Sequence, residues 1–174
     1  MCEGPGAKGM SDYLTRFASL EHFDKGGVSI IDDDPRNYVF SNVYEVAGNA
    51  QPFEKVAVAK NLEYVLEAIR VEGVSPWRTS RHDEFALVMS GTVRFDLVDL
   101  GADSHDRPPQ GSVRLDTDPE GPEMGHVVAN RGHMVLLAAN SAYRYRSDQP
   151  AALLLQTMAS GDTVFRWKEI CQTR

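Results

Sequence analysis

Between Val56 and Met158 the chain is a succession of short β-rich runs, a rhythm that a sandwich or barrel of strands explains and a helical or α/β fold does not. Val56-Ala57-Val58-Ala59, Leu62 to Val71, Phe85 to Met89, Val93 to Val98, Val113 to Leu115, His126 to Ala129, Met134 to Leu137, Ala142 to Tyr145 and Leu153 to Met158 are the predicted strands. Gly, Pro, Asn and Asp clusters separate them, and Lys60-Asn61 is the expected break between the first two. Gly101 to Gly125 is polar, rich in Asp, Pro and Gly, and reads as an excursion between two barrel strands, with one weak strand at Ser112 to Leu115. The tail from Thr163 to Cys171 suits a last helical turn as well as a strand.

The start of the chain is organised differently. MCEGPGAKG is small and turn-prone, and Met10-Ser11-Asp12 is a second possible start. Ser11 is an N-cap type, and Tyr13, Leu14, Phe17 and Leu20 recur at helical spacing, so a short amphipathic helix is expected over about 12–22, ended by Gly26-Gly27. Such a helix either folds back on its own domain or forms an arm that packs on a partner. Asp32-Asp33-Asp34-Pro35 is a break. The division that follows is a leader and arm over 1–35 and a single barrel domain over 36–174.

Composition narrows the function classes. At 174 residues, 42% hydrophobic and 25% charged, the chain suits one domain with a sizeable core. A formal charge of −7 argues against nucleic acid, which is held by clustered Lys and Arg. No apolar run reaches the roughly 18 residues that span a bilayer, and the N-terminus lacks a secretory pattern, so no membrane partner and a cytoplasmic location are expected. Cys2 and Cys171 stand at opposite ends with no Cys-x-x-Cys, which gives no basis for a disulfide framework or a zinc ribbon.

One segment has the spacing of a metal-binding motif without its ligands. Pro76-Trp77-Arg78-Thr79-Ser80 is followed by Glu84 and, after six intervening residues, by Gly91. It resembles the first motif of the cupin superfamily, small double-sheet jelly-roll barrels, in which Pro-Trp often precedes His-x-His, then Glu, then Gly. Arg78 and Ser80 stand at the two His positions. The second cupin motif has a counterpart opening at Gly132. There Ala138 and Asn140 stand for Pro and Gly, Tyr143 for the ligand His and Ser147 for Asn. The resemblance implies an all-β, cupin-type double-stranded β-helix preceded by a short helical arm.

Of the four ligand positions, Arg78, Ser80, Glu84 and Tyr143, only Glu84 keeps a metal-binding group. A guanidinium has no lone pair to donate and stays charged. At about 4 Å from a divalent ion it repels by roughly 8 kcal/mol at an effective dielectric of about 20. The expectation is that this chain binds no metal or other cofactor, with Arg78 paired to Glu84 and Tyr143 hydrogen-bonded alongside. A rebuilt two-His, one-carboxylate set would need His126 and His133, brought diagonally onto one sheet face by a turn at Asn130-Arg131-Gly132, together with His82 or Glu84. The competing reading is of three unrelated, partly exposed histidines. Trp77, at the start of the motif strand, is either core or a wall for a flat ligand or a partner surface.

Beyond the superfamily, the chain resembles the small subunit of the two-subunit hydroquinone 1,2-dioxygenases from about Met10 onward. The likeness rests on chain size, the arm before the barrel and the degraded motif around Pro76-Trp77. It implies a larger iron-binding cupin subunit as partner in a hetero-oligomer. In that family Fe(II) on the large subunit opens the ring of a hydroquinone-type substrate to 4-hydroxymuconic semialdehyde, during bacterial breakdown of 4-nitrophenol and related phenols. It further implies no catalytic residue in this chain, which would belong to an enzyme without turning over alone, with Trp77 as its contact to the pocket or interface. Two rivals stay open at the level of sequence. One is an autonomous cupin enzyme using Tyr143, Glu84 and Arg78 as acid, base and anchor. The other is a small-molecule-binding barrel in which Arg78 grasps a carboxylate. Fold alone does not choose among them.

Overall fold

The computed structural model describes residues 18–23, 42–101 and 110–166. Ten strands are described: β1 Lys55–Asn61, β2 Tyr64–Val74, β3 Arg78–Ser80, β4 Glu84–Ser90, β5 Thr92–Asp99, β6 Ser112–Arg114, β7 Glu123–Asn130, β8 Met134–Leu137, β9 Ser141–Met158 and β10 Thr163–Val164. They form one curled sheet. The organiser is β9. Two of the predicted strands, Ala142 to Tyr145 and Leu153 to Met158, are its two halves. The first half lies between β3 and β5, and the second between β2 and β4. Extended outward, the chain makes two facing layers, β10-β1-β2-β9-β4-β8 and β6-β3-β9-β5-β7. This is the jelly-roll arrangement that the motif spacing implied.

Alternation along each strand sends one set of side chains between the layers. Ile69, Val71, Ala86, Val88, Val93, Phe95, Leu137, Tyr143, Tyr145, Leu153 and Leu155 meet there in one buried cluster. Each fully buried large side chain contributes about 1.5–3 kcal/mol, and together they fill the interior. Two motif positions explain themselves by backbone geometry. Gly91, between β4 and β5, has φ +76°, and a Cβ there would lie 2.8 Å from that of Ala151. Asn140, standing where the second motif expects Gly, has φ +70°, a left-handed conformation that Asn tolerates better than most residues.

The one helix among the described residues is α1, Val43–Asn49. Asn42 caps it by accepting from the N–H groups of Tyr44 and Glu45, and Glu45 adds negative charge to its first turn. Val46 and Ala50 pack on Val56, Val58 and Ala68, so α1 covers the outer face of β1 and β2. The helix expected over about 12–22 falls mostly outside the described residues. Its described end is a bend, closed by Ser19 N–H to the His22 carbonyl at 2.9 Å and His22 N–H to Ser19 Oγ at 3.2 Å. A Ser hydroxyl offers the backbone a local alternative to the helix there.

Two further expectations are corrected, and one left open, the form of the tail, is decided for its first residues. The break between β1 and β2 falls at Leu62-Glu63 rather than Lys60-Asn61, because Leu62 takes φ +55° and Asn61 pairs with Tyr64. The first residues of the tail, Thr163 and Val164, pair with Lys55 and Val56 as a parallel strand. The turn at Asn130 to His133 is present, with His133 N–H on the Asn130 carbonyl at 3.0 Å, but it does not make a hairpin. β7 pairs with β5 and β8 with β4, so the turn passes from one layer to the other.

Candidate functional site

The residues at the motif positions, Arg78, Ser80, Glu84 and Tyr143, are all buried in the barrel. Glu84 at the start of β4 and Tyr143 on β9 are both fully buried, and the Tyr143 hydroxyl donates to Glu84 Oε2. Thr157, on the other half of β9, donates to Oε1. Both carboxylate oxygens are therefore occupied by hydroxyl donors. Burial raises the Glu84 pKa, and these two hydrogen bonds oppose the rise. Burial also pushes the Tyr143 phenol well above its ordinary range, with Glu84 beside it acting in the same direction, so the phenol stays protonated.

Arg78 is not paired to Glu84. Its Nη1 lies 2.5 Å from Asp162 Oδ2, on the short segment leading into β10. The guanidinium is almost wholly buried. Burial works against its charge, and Asp162 more than compensates, so its pKa is raised. The physical reason is competition for Glu84: the hydroxyls of Tyr143 and Thr157 already occupy its two oxygens, while Asp162 pairs with the guanidinium.

Four residues that sequence reasoning did not single out, Lys55, Glu67, Thr157 and Asp162, complete this interior. The Lys55 side chain is 1% exposed, and its Nζ donates to Ser112 Oγ at 2.9 Å and Ser160 Oγ at 3.1 Å. It also lies 3.3 Å from Glu67 Oε2 and 3.4 Å from Asp162 Oδ1. The Lys55–Glu67 approach is close enough for an ion pair, although Glu67 Oε2 has no well-aligned donor among the described residues. Thr163 Oγ1 donates to Glu67 Oε1 at 2.7 Å. Burial raises the Glu67 pKa against the pull of Lys55. Burial opposes ionisation of Asp162 too, but Lys55 and then Arg78 bring it down to about 2. The signal for Glu67 was present: period-two alternation places it on the same face as Val65, Ile69 and Val71, where an acid needs a buried partner. Lys55 shares the face of Ala57 by the same rule, but it stands at the edge of its apolar run and reads as a strand-leading polar residue.

His82, between β3 and β4, is linked to both sides of this interior. Its Nδ1 lies 3.0 Å from Ser80 Oγ, and its Nε2 accepts from the Met158 N–H at 3.2 Å. An accepting Nε2 assigns the proton to Nδ1 in a neutral ring, in keeping with the downward pKa shift that burial causes. His126 and His133 do not join it. His126 is exposed on β7 opposite Asp96, and His133 sits exposed in the turn with its Nδ1 accepting from Asn130 N–H. Among the described residues no group of three His, Cys, Asp or Glu is placed to hold a metal ion.

A divalent cation does not fit this interior. Two side-chain cations, Lys55 and Arg78, already occupy it, Tyr143 is protonated, and Ser80 is engaged with His82. The same packing bears on the reading of Arg78, Glu84 and Tyr143 as anchor, base and acid. Glu84 and Tyr143 are 0% exposed, and the guanidinium is held by the protein's own Asp162. Trp77 faces the other way. It is half-buried on the outer surface, with the Arg144 guanidinium carbon 4.4 Å from its ring centroid.

No protein-family model and no curated protein matches the chain. Solved structures do. The chain is 47% identical to a chain of hydroquinone 1,2-dioxygenase PnpCD, in a complex with Cd2+ and 4-hydroxybenzonitrile. The match covers 92% of this chain and 97% of that one, with a TM-score of 0.84. It is 49% identical to a chain of hydroquinone 1,2-dioxygenase from Sphingomonas sp. TTNP3, with 4-hydroxybenzoate bound, over 94% and 99% of the two chains and with a TM-score of 0.83. The chain belongs to the hydroquinone 1,2-dioxygenase family. Its fold is a cupin barrel, as the motifs implied. A second likeness is of fold alone. A chain in the Fe3+ complex of PnpCD matches 86% of this chain at 9% identity and a TM-score of 0.58, and only 42% of that chain is covered. Structures of this dioxygenase thus contain a chain of nearly this length and a much longer one with a barrel of the same kind.

Proposed function

We propose that this chain is the small, metal-free subunit of an Fe(II)-dependent hydroquinone 1,2-dioxygenase. On this reading it works in the cytoplasm, in a hetero-oligomer with a larger cupin subunit that carries the iron and cleaves the phenolic ring. The observation that carries the reading is the occupancy of the barrel interior by Lys55 and Arg78, held on Glu67 and Asp162. A cupin whose ligand positions hold Arg78, Ser80 and Tyr143, all buried, does not supply a set of metal ligands. The pair of unequal chains among the similar structures supports a division of labour between two barrels. The charged interior then serves the structure, by fixing β1, β3 and the segment before β10 to one another. Trp77 is the candidate for contact with the partner's pocket.

The test is reconstitution. The chain is purified alone and with a large, iron-binding cupin subunit of a hydroquinone 1,2-dioxygenase, and hydroquinone cleavage and iron content are measured for each. The proposal predicts no turnover and substoichiometric iron in the isolated chain, with full activity only in the complex. Turnover by the isolated chain overturns it.

A further inference from the structure

Beside Trp77, the outer face of β5 and β9 carries a concentration of cations that the chain's −7 charge makes conspicuous. Arg94, Arg144 and Arg146 surround a single carboxylate, Asp96. The side chains of the three arginines are 42%, 25% and 39% exposed, while that of Asp96 beneath them is 7% exposed. Each approaches Asp96 through Nε. Arg94 Nε donates to Oδ1 at 2.6 Å and Arg144 Nε to Oδ2 at 2.8 Å. Arg146 Nε lies 2.8 Å from Oδ2 but is not aligned for a hydrogen bond, and it is a buried donor without an acceptor among the described residues.

This geometry is asymmetric in donors and acceptors. Three guanidinium groups bring five N–H donors each, and two carboxylate oxygens cannot satisfy them. Burial opposes ionisation of Asp96, yet the arginines hold its pKa below the ordinary value, so its charge is already committed to them. Arg94 and Arg146 also line an outer trough of about 600 Å³, where Asp148 is the only carboxylate among the lining residues. Arg144 ties this cluster to Trp77 by stacking on its ring. The result is a surface of spare, planar cationic donors next to a half-buried indole, which are the residue types that dominate protein interfaces.

We infer that Arg94, Arg144, Arg146 and Trp77 form the docking surface for a carboxylate-bearing segment of the iron-binding partner subunit. The inference rests on the subunit reading above and adds the face and the chemistry of the contact. Among the described residues its main apolar rival is the strip of Phe85, Leu87, Met134 and Leu154 outside β4, β8 and β9. That strip has no charge pattern to select a partner, whereas the arginine surface selects an acidic one.

The experiment measures the affinity of the separately purified subunits at low and high salt. The Arg144→Glu/Arg146→Glu double variant is expected to bind at least about tenfold more weakly than wild type, and wild-type affinity is expected to fall with salt. Should the double variant misfold, Arg146→Gln serves instead, because Arg146 makes no aligned bond to Asp96; a severalfold loss is expected. A melting curve reports folding in each case. Binding within twofold of wild type by a folded arginine variant overturns the inference. So does selective loss in Leu87→Glu/Met134→Glu, which assigns the contact to the apolar strip. A wild-type chain that forms no complex at all overturns the inference and the subunit reading together.

Discussion

Replacing Asp162 by Asn removes one carboxylate from between two buried cations. Arg78 then loses its only carboxylate partner among the described residues, while Lys55 keeps Glu67. Breaking a fully buried pair by removing one partner costs about 3–5 kcal/mol. The displacement of the Asp162 pKa from 3.8 to about 2 corresponds at face value to about 2.4 kcal/mol of favourable interaction. Asp162 is itself 41% exposed, so solvent screening discounts this to roughly 1–2 kcal/mol. For a chain of this size that lowers the melting temperature by about 2–8 °C at pH 7. The sign with pH follows from linkage. The folded pKa lies below the unfolded one, so the contribution is complete above pH 4 and is lost as pH falls through the interval from about 4 to 2. Urea unfolding of both proteins from pH 7 down to pH 3 is the assay. The gap in stability between wild type and Asp162→Asn should be full at pH 7 and narrow toward pH 3. No gap at pH 7, or a gap independent of pH, refutes the view that Asp162 neutralises the barrel interior.

Other predictions test the same account at single positions. Tyr143→Phe removes one of the two hydroxyls on Glu84 and should cost about 1–3 kcal/mol in urea unfolding while raising the Glu84 pKa measured by carboxyl carbon NMR. Gly91→Ala, at φ +76° and against Ala151, should destabilise the fold by about 1–3 kcal/mol, read from the same unfolding curves. Trp77→Ala in the assembled enzyme should change kcat or KM for hydroquinone while leaving the iron content of the complex unaltered, measured by turnover and metal analysis.

The fold was legible because alternation and turn chemistry are local properties. Most of the predicted strands needed only β-branched runs and the Gly, Asn and Asp between them, and the motif spacing brought Glu84 and Tyr143 to one contact 59 residues apart in sequence. What stayed hidden is long-range or very short. Helix α1 has seven residues, too few for a helical period to stand out, and its one local sign is the Asn42 cap. The continuity of β9 was concealed by Ser147 to Pro150, which reads as a turn but is the corner where one strand changes layers. The same blindness affected the choice of partner for Arg78. Its motif neighbour Glu84 was the nearer acid in sequence, whereas Asp162, 84 residues away, reaches it only because β10 pairs with β1. The expected convergence of His126 and His133 failed for a related reason: a turn of hairpin length joined strands of different layers.

The most direct measurement is a calorimetric titration of the isolated chain with Fe(II) under anaerobic conditions. With Lys55 and Arg78 seated in the interior, the account predicts no stoichiometric uptake and no gain in melting temperature on addition of iron. Tight binding of one iron per chain, lost on replacing Glu84 by Ala, contradicts it.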